Sequence, residues 1–134
     1  VCMSARRAAN ALTNYYDKMF DPLGITVTQF SLMINIKSAA TTNITDLTRV
    51  VKLDKSTLTR TLAPLIETGY VHSERGQNRR EVLLSLTEKG QQKMAEAFPV
   101  WRKMQQEMIE LLGGDDEAEK FVDTLIRLQE LKQR

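Results

Sequence analysis

From Ala5 to Phe20 the apolar residues Ala8, Leu12, Tyr15, Tyr16 and Met19 recur at helical spacing, and Asp21-Pro22-Leu23-Gly24 then stops the pattern, which predicts a first helix. Thr26 and Gln29 have the spacing of a capping box, with Ile25 and Phe30 placed to close a hydrophobic staple, so a second helix is expected from there to about Ala40. Its apolar set, Phe30, Met33, Ile34 and Ile36, covers much of the circumference and predicts a largely buried helix. Thr45 is the expected cap of a short third helix carrying Leu47, Val50 and Val51 and ending near Lys52-Leu53. Asp54 caps the next one. There Leu58, Leu62, Leu65 and Ile66 form an inward stripe, Gly69 ends the helix, and Ser56, Arg60 and Pro64 fall on the opposite face with Thr57 on its flank.

Beyond Gly69 the period changes. Val71 to Arg75 and Glu81 to Leu86 read as strands of a hairpin joined by the polar loop Gly76-Gln77-Asn78-Arg79-Arg80. Thr87 then caps a long helix whose apolar stripe comprises Met94, Ala97, Phe98, Trp101, Met104, Met108, Leu111 and Leu112. Gly113-Gly114 breaks it. A last helix, roughly Asp115 to Lys132, opens on acids that suit the positive end of its dipole and carries Phe121, Val122, Leu125 and Leu128. The predicted class is mainly α (α+β): a winged helix-turn-helix lobe over residues 27–90 with a two-stranded wing, and an all-helical region from residues 1–26 and 91–134. No repeat, low-complexity tract or linker interrupts it.

With 134 residues, 42% hydrophobic and 27% charged, the chain suits one globular domain with its own core. A net charge of +2 from 19 basic and 17 acidic residues is too small to argue for nucleic acid alone, so distribution carries the case. Ser73 to Arg80 holds Arg75, Arg79 and Arg80 against Glu74, whereas Asp115 to Glu119 is acidic without a base. The longest uncharged run, Pro22 to Ile36, is too short and too polar to cross a bilayer, and no secretory signal pattern is present. Cys2 is alone, which excludes an internal disulfide and points to a reducing cytoplasm. The chain begins with Val1, leaving room for residues upstream, so one cysteine is a lower bound. With His72 the single histidine, a dedicated zinc site is disfavoured, and no cofactor is implied. A glycine-rich phosphate loop, a nucleophile elbow and a histidine–serine motif are all missing, which argues against an enzyme.

What remains is a surface chemistry. Clustered Arg and Lys are rewarded by phosphates through counterion release, and Lys55, Arg60, Arg75, Arg79 and Arg80 are the candidates. Base reading in a major groove takes a helix with short polar side chains and a long bidentate donor, which Ser56, Thr57 and Arg60 supply. Arg80, near the hairpin tip, suits a narrow minor groove. The bland alternative is a solvated basic face. Another alternative is a winged-helix module whose hairpin docks on an acidic protein without DNA binding.

At these residues the chain resembles the MarR family of winged helix-turn-helix transcriptional regulators, over nearly its whole length. The likeness is carried by Gly24-Ile25-Thr26 with Gln29-Phe30, by Ile44-Thr45-Asp46-Leu47-Thr48, and by Leu53-Asp54-Lys55-Ser56-Thr57-Leu58-Thr59-Arg60. Leu65-Ile66-Glu67-Thr68-Gly69-Tyr70-Val71 and Leu86-Thr87-Glu88-Lys89-Gly90 complete it. The resemblance implies a homodimer joined through the first and last two helices, a pseudo-palindromic operator, and a repressor released by a small molecule, often phenolic, or by an oxidant. The wide stripe of the long helix independently asks for more cover than one partner helix gives. Two recognition helices about 34 Å apart would then meet successive major grooves.

The family commonly carries Asp-x-Arg in the wing, where this chain has Asn78-Arg79-Arg80; Asn78 keeps hydrogen bonding but loses the charge. Pro64 predicts either a kink in the recognition helix or an earlier end to it. Effector pockets of the family imply Tyr15, Tyr16, Met33 and Arg7 as ligand-lining, against the plainer reading of both tyrosines as packing. Cys2 is a candidate redox sensor by the same resemblance, against an inert terminal thiol. His72 reads as structural or as a phosphate neighbour.

Overall fold

A computed structural model describes residues 1–77 and 81–133. In order, the elements are α1 (Cys2–Phe20), α2 (Val27–Ala39), β1 (Thr42–Asn43), α3 (Ile44–Val51), α4 (Lys55–Thr68), β2 (Val71–Arg75), β3 (Val82–Leu86), α5 (Glu88–Leu112) and α6 (Asp115–Leu128). Short 3-10 segments at Asp21–Leu23 and Gln129–Gln133 follow α1 and α6. The chain divides into two compact units, Val1–Phe98 and Pro99–Arg134, with the boundary inside α5 at Pro99. No helix among the described residues is long and apolar enough to cross a membrane.

In the first unit the core is drawn from three layers. Leu32, Met33 and Ile36 of α2 meet Leu47 of α3 and Leu58, Leu62 and Leu65 of α4, and Val71, Leu84 and Met94 close the cluster from the sheet and α5. The inward face of α4 stops short of expectation: Ile66 is 37% exposed. At about 100° per residue it lies about 80° around the helix from Leu58, whereas Leu62 and Leu65 stay within about 40°. A chain of rings runs beside this core, with Phe20 and Phe30 centred 5.1 Å apart and Phe30 and Phe98 5.3 Å apart, edge to face.

The starts of α2 and α3 are each set by side-chain hydrogen bonds. Thr26 and Gln29 form the predicted reciprocal box: the Gln29 N–H donates to Thr26 Oγ1 at 3.1 Å and the Thr26 N–H to Gln29 Oε1 at 2.9 Å. Asp17 of α1 adds a third bond by accepting the Val27 N–H at 2.7 Å. Helix α3 is capped by Asn43 rather than Thr45, since extended Asn43 accepts the Asp46 N–H at 2.8 Å and so starts the helix earlier. Pro64 does lie inside α4, which continues to Thr68.

The wing is part of a three-stranded antiparallel sheet, order β1-β3-β2, not a free two-stranded hairpin. Thr42 pairs with Leu84 and Asn43 with Leu83, while Val71 pairs with Leu86 and Arg75 with Val82. Two residues are too short a run for alternation to reveal β1 in the sequence. Other boundaries moved modestly: α1 begins at Cys2, β3 at Val82, and α6 tightens into its 3-10 segment after Leu128. In α5 Met94, Ala97 and Met104 are buried, but Leu111 is 77% exposed.

Two backbone positions carry opposite constraints. Ala40 has φ 62° and ψ −58°, the middle of a γ-turn in which the Thr41 N–H donates to the Ala39 carbonyl at 2.7 Å. Such geometry is strained for a residue with a Cβ, so Ala40→Gly should raise stability by about 1 kcal/mol in urea unfolding. Gly90 is the reverse case: a Cβ there would fall on the Tyr70 carbonyl oxygen and within 3.0 Å of Leu86 Cδ1. Because that oxygen is backbone, Gly90→Ala should cost about 2 kcal/mol or more in the same measurement. A neutral result for either would show that the local backbone relaxes freely.

Candidate nucleic-acid interface

Helix α4 presents a polar face because its three buried leucines all point one way. Ser56 and Arg60 are exposed opposite Leu58, Leu62 and Leu65, Lys55 and Thr59 are exposed along one side of that stripe, and Thr57 is half-buried on the other flank. The first turn is held by Asp54, whose Oδ1 accepts the Thr57 N–H at 2.7 Å and whose Oδ2 accepts the Thr57 hydroxyl at 3.0 Å. Arg60 Nη2 in turn donates to Thr57 Oγ1 at 3.3 Å. These bonds to Thr57, backbone first, with Arg60 a smaller cause, hold the Asp54 carboxyl below its ordinary value of 3.8.

The wing root stands close to the beginning of α4. Hydrogen bonding of the Gly76 N–H to the Glu81 carbonyl at 2.9 Å closes the hairpin, and Arg75 is exposed at the end of β2. Asn78, Arg79 and Arg80, the remaining wing candidates, lie outside the described residues. Between the wing root, α3 and α4 runs a groove of about 630 Å3 lined by Asn43, Thr45, Asp46, Lys55, Thr59 and Glu81, among others. Thr59 was legible one turn after Lys55 on the same helical face. Asn43 and Thr45 were not, because they reach this groove through the pairing of β1 with β3.

A hydrogen-bonded clasp fixes the wing to the helix. The Thr87 hydroxyl donates to the Gly69 carbonyl at 2.5 Å, the Thr87 N–H to the Tyr70 carbonyl at 3.0 Å, and the Gly90 N–H to Thr87 Oγ1 at 3.0 Å. Lys89 Nζ caps the end of α4 through the Thr68 carbonyl at 2.8 Å and lies 5.4 Å from the Tyr70 ring centre.

Outside this face the candidates separate. Met33 is fully buried in the core of the first unit, where packing accounts for it, whereas Arg7 and Cys2 are exposed on α1. Tyr15 and Tyr16 are half-buried and meet edge to face at 5.9 Å, and burial pushes the Tyr16 hydroxyl up from its ordinary value. His72 Nε2 lies 3.4 Å from Glu74 Oε2 on the exposed side of β2.

Residues 25–82 match the sequence profile of the MarR family. Over its full length the chain is 30% identical to the transcriptional regulator MosR of M. tuberculosis, crystallised with DNA, with a TM-score of 0.85 and 98% of that chain covered. It belongs to the MarR family. A variant of E. coli MarR crystallised with operator DNA is 25% identical over 95% of this chain and 94% of its own, with a TM-score of 0.79. Among curated proteins, the uncharacterized HTH-type transcriptional regulator YwoH of Bacillus subtilis is 22% identical over 82% of this chain and 80% of its own. Members of the MarR family are DNA-binding transcription regulators rather than enzymes, and the three-stranded winged lobe of this chain is their fold.

The depressed Asp54 carboxyl gives this MarR lobe a defined acid response. Its cap contribution is present above 3.8, the unfolded value, and is lost as pH falls through the lower native value. The difference in urea midpoint between wild type and Asp54→Asn should therefore shrink on acidification below pH 3.8. A difference independent of pH would show that the carboxylate charge does not matter at this cap.

Proposed function

We propose that this chain is a sequence-specific transcriptional regulator, a repressor, that binds a pseudo-palindromic operator as a homodimer and leaves it on meeting a small molecule or an oxidant. The observation carrying this reading is the polar face of α4 beside the wing root, with Lys55, Ser56 and Arg60 exposed on one side and Arg75 on the other. In it, Lys55, Arg75 and Arg79 neutralise phosphates, Ser56 and Arg60 meet base edges, and Asn78 and Arg80 carry the wing into the adjacent minor groove. Support for DNA as partner comes from MosR and E. coli MarR, both crystallised with it.

Pairing of two copies is supported by apolar surface left open on a single chain. On α6 Phe121, Val122, Leu125 and Leu128 fall at i, i+1, i+4 and i+7 and are 37–49% exposed, and Met3 of α1 is 60% exposed. A stripe of this kind on a water-facing helix needs cover, and a second copy offers its own. The effector is assigned to the α1 region, where Tyr15, Tyr16 and Arg7 combine rings with polar handles. Cys2, exposed in the first turn, is the oxidant-sensing alternative.

Fluorescence anisotropy on a duplex selected from a random pool, against a scrambled duplex, tests the DNA reading. Arg60→Ala should lower discrimination by about 1–3 kcal/mol, whereas Arg79→Ala should weaken both duplexes alike and reduce the salt slope by about 1. Equal, sequence-blind losses would contradict base reading by Arg60. In sedimentation equilibrium the wild type should be a dimer and Leu125→Glu should shift it toward monomer. A wild-type monomer at micromolar concentration would contradict the paired arrangement.

A further inference from the structure

Thr57 stands half-buried on the flank of the polar face that α4 would turn to DNA, and its residue type suggests that it reads a base. Its hydrogen bonds say otherwise. A threonine hydroxyl has one hydrogen, and here it is directed to Asp54 Oδ2 at 3.0 Å. On its acceptor side the same oxygen receives Arg60 Nη2 at 3.3 Å. The backbone N–H of Thr57 is also taken, by Asp54 Oδ1 at 2.7 Å. Asp54, Thr57 and Arg60 thus form a chain of three side chains along the first turn and a half of the helix, with the carboxylate at one end and the guanidinium at the other.

From this geometry we propose that Thr57 is not a base-reading residue but a positioning residue. Together with Asp54 it braces the Arg60 guanidinium on the exposed face, so that Arg60 reaches the base edge already oriented. The inference rests on the reading that Arg60 discriminates bases. It assigns a role to Asp54 that its charge alone would argue against, since a carboxylate beside the DNA backbone repels phosphates. An uncommitted arginine has many rotamers to lose on binding, and one hydrogen bond from its head group removes part of that loss beforehand. The remaining guanidinium donors stay free for a guanine edge, which needs only two of the five.

A double-mutant cycle separates bracing from direct reading. The readout is the ratio of affinities for the selected and scrambled duplexes. Thr57→Val should lower that ratio on the order of tenfold in the wild-type background, a loss comparable with that of a single bidentate contact. Thr57→Ser, which restores the hydroxyl, should recover it. In the Arg60→Ala background Thr57→Val should cause no further loss, because the group it orients is gone. Asp54→Asn is the second variant: it should tighten binding to the scrambled duplex by removing a negative charge, and still lower the ratio. Additive losses from Thr57→Val and Arg60→Ala would overturn the brace, as would an Asp54→Asn ratio equal to that of wild type. If Arg60→Ala itself left the ratio unchanged, base reading by Arg60 would fall and the brace with it, an outcome distinct from additivity.

Discussion

The fold depends on one clasp in which Thr87, at the end of the wing, is bonded to the turn that ends the recognition helix. Through its hydroxyl and its N–H, Thr87 satisfies the carbonyls of Gly69 and Tyr70, and the Gly90 N–H returns to its oxygen. Four elements therefore share one small polar knot: α4 ends there, β2 begins, β3 ends and α5 begins. These bonds are part-buried, so opening the knot would leave backbone groups only partly reached by water. Gly90 is the residue that permits it, because any side chain would occupy the place of the Tyr70 carbonyl. With the strand register also set by Val71 against Leu86, the wing root has little freedom relative to α4. A helix face and a loop can address one duplex only if their separation is fixed.

Most of this lobe was readable because its signals are local. Capping by Thr26 and Asp54, the αL terminator Gly69, and the strand run Val71–Arg75 each depend on residues within a few positions of one another. What escaped was set by distant partners. Strand β1 exists only because Thr42 and Asn43 find β3 about 40 residues later in the chain, and this also moves the cap of α3 to Asn43. The γ-turn at Ala40 had no glycine to announce it, since the backbone there is held by its surroundings against local preference. Ile66 and Leu111 show that periodicity assigns a stripe but not its edges, as both continue an apolar pattern yet remain exposed.

The functional face divides the same way. Lys55, Ser56 and Arg60 were legible as one exposed side of α4 from helical spacing alone. Thr57 was assigned to the same task on residue type, and only the bonds it shares with Asp54 and Arg60 distinguish support from contact. In the proposed DNA contact the acid at the cap of α4 sets two demands against each other: Asp54 stabilises the first turn but would add a negative charge near the phosphates. Its full exposure limits the second effect, because water screens a charge it can reach. The Ser73–Arg80 cluster adds positive charge to a chain whose net charge is only +2.

Hydroxyl-radical footprinting on the selected duplex is the most direct test of the central claim, that paired copies present α4 and the wing to one side of double-stranded DNA. Protected sugars are expected on a single face of the duplex, in patches phased by about 10 base pairs and symmetric about the centre of the site. Protection without phase or symmetry, or none at concentrations that saturate binding, would contradict it.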